Sequence, residues 1–149
     1  MAEHDSHALR LTRKEQLTQL LQLSRRIAVV GIKPDTYDFH PAHYVPRYMK
    51  DAGYEIIPVP SYYPEVTKIM GLDVVRDLKA IEGPVDIVNL FRRSEDVPGH
   101  LADILAIKPK AVWMQQGISH EGVAQALVDA GIQVIQDRCI MVDHRMSLS

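Results

Sequence analysis

The feature that most constrains this chain is a series of short apolar runs separated by helix-length segments. Ile27 to Val30 (IAVV), Glu55 to Val59 (EIIPV), Asp86 to Phe91 (DIVNLF), Ala111 to Met114 (AVWM) and Gln133 to Gln136 (QVIQ) are rich in β-branched residues. Most do not alternate with polar residues, the pattern of strands covered on both faces in a parallel sheet. Between them lie helical patterns. A leader helix follows Thr12, whose capping-box spacing to Glu15 precedes Leu17, Leu20 and Leu21 on one face. Tyr44 to Ala52 reads as a helix ended by Gly53, with Pro46 tolerable only near its first turn. Ser94 caps a helix expected to reach Ala106, with Glu95, Asp96 and Pro98 in its first turn, and Ser119 to Ala130 forms another, closed by Gly131. Val74-Val75 reads as a short edge strand. The alternation predicts a single α/β domain over residues 12–149, a doubly wound and mainly parallel sheet flanked by helices, with strand order 3-2-1-4-5-6. Residues 1–11 are expected to be a flexible tail.

A chain of 149 residues holds one well-buried core and is too short for a nucleotide domain plus a separate catalytic domain. No apolar run approaches the roughly 18 residues of a membrane span. Met1 to Arg10 lacks the apolar core of a secretion signal, and Cys139, the only cysteine, allows no internal disulfide; both suit the cytoplasm. A formal charge of −2 gives no nucleic-acid footprint, so any anion site must be local.

Open α/β sheets bind ligands beyond the carboxyl ends of their strands, where the strand order reverses. That point selects Gly31-Ile32-Lys33-Pro34, Val59-Pro60-Ser61, Phe91-Arg92-Arg93 and Gln115-Gln116-Gly117. Lys33, Arg92 and Arg93 are cations, and the helices after the first and third loops are expected to offer free backbone N–H groups. The combination suits an anion. A dinucleotide site would require two more glycines after Gly31, yet none occurs before Gly53, and the second strand ends in Val59-Pro60 where an NAD site presents a carboxylate to the ribose. An NAD(P)-binding oxidoreductase is therefore the second reading. A phosphorylated adenosine ligand, with its base on the apolar Val59-Pro60 ledge, is the first.

The blocks IAVVGIKP, YMKDAGYEIIPV, VDIVNLFRRSEDVP, VWMQQGI and DRCIMVDHR occur in order over about residues 25 to 146. Together they resemble the small stand-alone CoA-binding proteins, whose Rossmann-like domain is similar to the CoA-binding domain of the succinyl-CoA synthetase alpha subunit. The resemblance implies coenzyme A held by the four loops above. It also implies a small-molecule CoA or acyl-CoA partner and no ligase activity, because the phosphohistidine domain of the synthetase has no counterpart here. Two positions depart from the family pattern. Val59-Pro60-Ser61 stands where Val-Asn-Pro is common, and Ala42 stands where a small hydroxyl residue is usual, so a diphosphate contact there is either lost or moved to His40 or His43.

Cys139 follows the last strand, on the edge where a pantetheine arm would end, and it is the one residue on which a thiol-active enzyme could be built. Its apolar neighbours Ile140-Met141-Val142 favour packing instead. His120 begins a helix and reads as an ordinary first-turn residue. Asp38, His40 and His43 supply too few ligands for a structural zinc, so neither a metal nor a catalytic residue is expected. Tyr62-Tyr63-Pro64 reads as a packed lid or a self-association patch.

Overall fold

The structure, a computed structural model, describes residues 6–149. In chain order its strands are β1 (Arg26–Val30), β2 (Glu55–Val59), β3 (Lys68–Ile69), β4 (Leu72–Asp73), β5 (Ile87–Leu90), β6 (Ala111–Met114) and β7 (Gln133–Ile135). Its helices are α1 (Ser6–Leu9), α2 (Lys14–Leu23), α3 (Pro41–Asp51), α4 (Leu101–Ile107), α5 (Glu121–Asp129) and α6 (Ile140–Ser147). Five strands form a parallel sheet in the order β2-β1-β5-β6-β7, and β3 pairs antiparallel with β4 beside it. The chain winds outward from β1 to β2, then returns across it to β5, so the order reverses between β1 and β5. This is the doubly wound α/β architecture expected from the sequence.

The unbroken apolar runs follow from burial on both faces. Ala28, Val30, Val88, Leu90, Val112 and Met114 point to one face, where Ile104 of α4 and Leu127 of α5 pack on them. Ile27, Val29, Ile87 and Trp113 point to the other, under Leu17 and Leu21 of α2, Met49 of α3 and Ile140 of α6. Successive strand residues alternate between the two clusters, as the pleat requires. Trp113 is fully buried, and its indole N–H donates to the Arg138 carbonyl at 2.8 Å, which satisfies its one polar atom and fixes the chain between β7 and α6.

Several expectations are corrected. The edge strand at Val74-Val75 does not form: Val75 makes one bond to β2, from its N–H to the Pro58 carbonyl at 2.8 Å. Pro58 and Pro60 have no N–H to donate on that side, and β2 remains the edge of the sheet. Residues 1–5 of the expected tail lie outside the described residues. At its other end Arg10 bridges to Val134, and Leu11 is buried, donating its N–H to the Val134 carbonyl at 2.9 Å. At the start of α2 the back-reaching residue is Gln16 rather than Glu15; its Oε1 accepts from the N–H groups of Thr12 and Arg13, each at 3.0 Å. The segment after Ser94 is a 3-10 turn to His100 before α4 begins at Leu101. Finally, α6 follows β7 over residues where the sequence pattern announces no helix. Among the described residues no helix is long and apolar enough to cross a membrane.

Candidate functional site

The loops after β1, β5 and β6 begin side by side because each ladder continues one residue past its strand. Gly31 N–H donates to the Val59 carbonyl at 2.9 Å, Phe91 N–H to the Val30 carbonyl at 2.8 Å, and Gln115 N–H to the Leu90 carbonyl at 3.2 Å. Gly31 then turns with φ +85°, and a Cβ there would overlap the Phe91 carbonyl oxygen and lie 3.2 Å from Arg92 Cδ. Only glycine meets both demands.

Above these loop starts opens a cavity of about 600 Å³, within the range of small-molecule sites. It is lined by Gly31, Ile32 and Lys33 of the first loop, Phe91, Arg92 and Arg93 of the third, and Gln115, Gln116 and Gly117 of the fourth. His40, Ser61, Tyr62, Tyr63 and Cys139 also line it. No carboxylate is among its lining residues, although the chain as a whole is acidic.

The three cations are held differently. The Lys33 ammonium has no carboxylate partner among the described residues. It donates to the Tyr63 hydroxyl at 3.2 Å and stands 5.3 Å from the Tyr37 ring centroid and 5.6 Å from that of Tyr63. Arg92 Nε–H donates to His100 Nε2 at 3.3 Å, which requires that nitrogen to be unprotonated. Burial, and next the Arg92 guanidinium, hold His100 below the usual imidazole value against the opposing carboxylates of Asp103 and Asp96. Arg93 is largely exposed and bonds Asp96 at 2.9 Å, with Arg92 3.6 Å from the same carboxylate. The Arg93 hydrogen bond leads the causes that keep Asp96 below the usual carboxylate range. Arg92 and Arg93 thus share one countercharge, and the rim keeps a net positive charge.

The helix termini are not the donors the sequence suggests. The start of α3 is satisfied internally: Pro41 has no N–H, Ala42 N–H donates to His40 Nδ1 at 3.0 Å, and the N–H groups of His43 and Tyr44 donate to the His40 carbonyl. The third loop leads into the 3-10 turn, which separates it from the start of α4. What α3 does contribute is His40. With Nδ1 accepting, the proton sits on Nε2 of the neutral ring, and burial followed by the Lys33 charge holds the ring below the usual imidazole value.

Of the residues singled out from sequence, Pro34, His43, Val59 and Pro60 do not line the cavity. His43 points away from it, buried, with Nε2 2.8 Å from Asp35 Oδ1, because α3 starts at Pro41 and that helical phase puts His40, not His43, at the mouth. Val59 and Pro60 are buried, and Val59 contributes a carbonyl to Gly31, so the apolar ledge expected there is replaced by Ser61, Tyr62 and Tyr63. The loop carrying these tyrosines is pinned by Arg76, whose guanidinium donates to the carbonyls of Tyr62, Tyr63 and Val66 at 2.9, 2.7 and 2.7 Å. Gln115 is buried, and its Oε1 accepts from Asn89 Nδ2 at 3.2 Å and from Ile140 N–H at 3.3 Å, tying β5, β6 and α6 together. Cys139 is partly buried at the N-cap of α6 and reaches the same cavity. Among the described residues no three His, Cys, Asp or Glu side chains converge on a metal position.

Residues 25–145 match the family described as CoA binding domain. The chain is 43% identical over 136 residues to an uncharacterized protein, YneT, of Bacillus subtilis (strain 168), which covers 90% of this chain and 96% of that one. The solved structure of cell-free ID.343 from Thermus thermophilus superposes with a TM-score of 0.83 at 38% identity, covering 91% of this chain and 99% of that one. The dinucleotide-forming acetyl-coenzyme A synthetase 1 of Ca. Korarchaeum cryptofilum, solved with phosphate and ADP, shares the fold with a TM-score of 0.60 at 20% identity; the match spans 78% of this chain but 27% of that one.

Gly31→Ala tests the crowding at the base of the cavity. The left-handed backbone and the overlap with the Phe91 carbonyl are expected to cost on the order of 1–3 kcal/mol or more in denaturant unfolding. A loss below about 0.5 kcal/mol would show that β1 and β5 can separate at no cost.

Proposed function

The chain belongs to the CoA binding domain family, and on that premise we propose that the switch-point cavity binds coenzyme A or an acyl-CoA, with no catalytic apparatus of its own. One observation carries the reading: the cavity is lined by Lys33, Arg92 and Arg93, together with His40, and by no carboxylate. That charge suits the three phosphate groups of the coenzyme. Lys33 is the strongest candidate for a phosphate, since it has only aromatic and hydroxyl neighbours to leave. The rings of Tyr62 and Tyr63 offer flat apolar surface for a base. The pantetheine arm would run along Gln116 and Gly117 toward Cys139. Gly117 presents no side chain, and its N–H is already committed to Asp137 Oδ1 at 2.6 Å. The NAD(P) alternative lacks support at the same place, where β2 ends in buried Val59-Pro60 without an acid for a ribose diol.

A thermal-shift comparison of coenzyme A with NAD at equal concentration tests the reading. Ligand at a hundredfold excess over Kd adds about 2.7 kcal/mol of stability, so coenzyme A raises Tm and NAD does not. A larger rise with NAD would overturn it. Lys33→Ala and Arg92→Ala are each expected to weaken coenzyme A by about 1.5–3 kcal/mol, roughly 10- to 100-fold, while leaving pantetheine binding nearly unchanged. Equal losses for both ligands would make these side chains structural.

The position of Cys139 in the cavity favours a second reading, thiol exchange with the coenzyme. If it operates, the Cys139 thiolate attacks one sulfur of CoA disulfide, forms a mixed disulfide and releases the other CoA as its thiolate. Intact mass spectrometry then shows one added CoA, absent in Cys139→Ser and removed by dithiothreitol. Bound coenzyme without an adduct leaves Cys139 as a packing residue.

A further inference from the structure

We infer that Pro46 is a positioning residue for the ligand loop and acts through the carbonyl of Ala42. Pro46 is buried in the interior of α3, where it has no N–H to donate to the residue four positions earlier. That residue is Ala42, which is itself buried. A buried carbonyl left without its helical donor must find another. It finds the backbone N–H of Lys33, at 3.1 Å. The defect in the helix is therefore the anchor of the loop.

The consequence for the cavity is specific. Gly31 N–H is tied to the Val59 carbonyl and Lys33 N–H to the Ala42 carbonyl, so both residues flanking Ile32 are fixed to different elements. The Ile32 side chain is buried, while its N–H meets no acceptor among the described residues. The loop is thus held with one backbone donor uncommitted and the Lys33 side chain at the cavity wall. An ordinary residue at position 46 would bring an N–H to the Ala42 carbonyl. That new bond would compete for the Ala42 carbonyl and weaken its bond to Lys33.

This inference rests on the coenzyme reading of the cavity for its functional half, and the experiment separates the two. Pro46→Ala supplies the missing N–H. Lactic acid placed at position 46 through an ester bond carries the same methyl side chain but again has no N–H. Amide hydrogen exchange at Lys33 in the ligand-free protein is expected to quicken roughly 10-fold in Pro46→Ala, with coenzyme A binding weaker by a similar factor, the value of about one hydrogen bond. Because alanine is the better helix former, global stability is expected to hold or rise while affinity falls. The lactate protein is expected to return both readouts toward wild type. Unchanged Lys33 exchange in Pro46→Ala, or lactate and alanine proteins behaving alike, would overturn the inference. If the wild-type protein does not bind coenzyme A, the functional reading fails, and Lys33 exchange still decides whether Pro46 sets the loop.

Discussion

The bare Cα of Gly31 lets β1 and β5 end against one another where the chain reverses its winding across the sheet. A side chain there would meet the Phe91 carbonyl and the Arg92 stem, and the positive φ would strain any other residue. Because the strand ends approach so closely, the first and third loops diverge from almost one point, and the space between them becomes a cavity. Lys33 is delivered from one side and Arg92 from the other. The site is thus a product of backbone packing at the base of the sheet, with the charges supplied by whichever residues follow.

The second requirement is that the loops stay where the strands send them. Gly31 is tied to β2, Lys33 to α3, and Gly117 to the Asp137 carboxylate, itself at φ +56° in the loop after β7. Each tie joins an element on a different side of the cavity. Where a dinucleotide site has three glycines, the cavity here is lined by side-chain cations on loops braced from behind. Such a wall is less committed to the exact path of a pyrophosphate, which suits a ligand whose phosphates are split between a diphosphate and the ribose.

Those parts of the fold that depend on burial alone were legible from the residues. β1, β5 and β6 are buried on both faces, so their apolar runs have no competing pattern, and the loops they feed were located correctly. What was not legible depends on compensation between distant groups. The start of α3 was obscured by Pro46, whose local cost in a helix interior, about 3 kcal/mol relative to alanine, says nothing of the Lys33 N–H that takes the freed carbonyl. With the start misplaced, the helical phase was lost, and with it the distinction between His40 at the cavity and His43 behind it. In α6 the pattern is broken by Asp143, a charged residue that is nevertheless buried. It accepts two hydrogen bonds from Arg138, both at 2.8 Å, and no periodicity rule anticipates that pair. The first N–H of this helix, that of Ile140, donates to Gln115 Oε1, on the residue just past β6 and 25 positions away in sequence.

Coenzyme A bound between the loops after β1, β5 and β6 would perturb the backbone amides of those loops. The most direct measurement is an amide chemical-shift titration of 15N-labelled protein with coenzyme A. The largest changes are expected to fall together on Ile32, Lys33, Tyr63, Arg92, Gln116 and Gly117, with little change in α2. Changes centred instead on Asp35, His43 and Met70, behind the first loop, or a titration that saturates without moving Ile32 and Arg92, would contradict that placement.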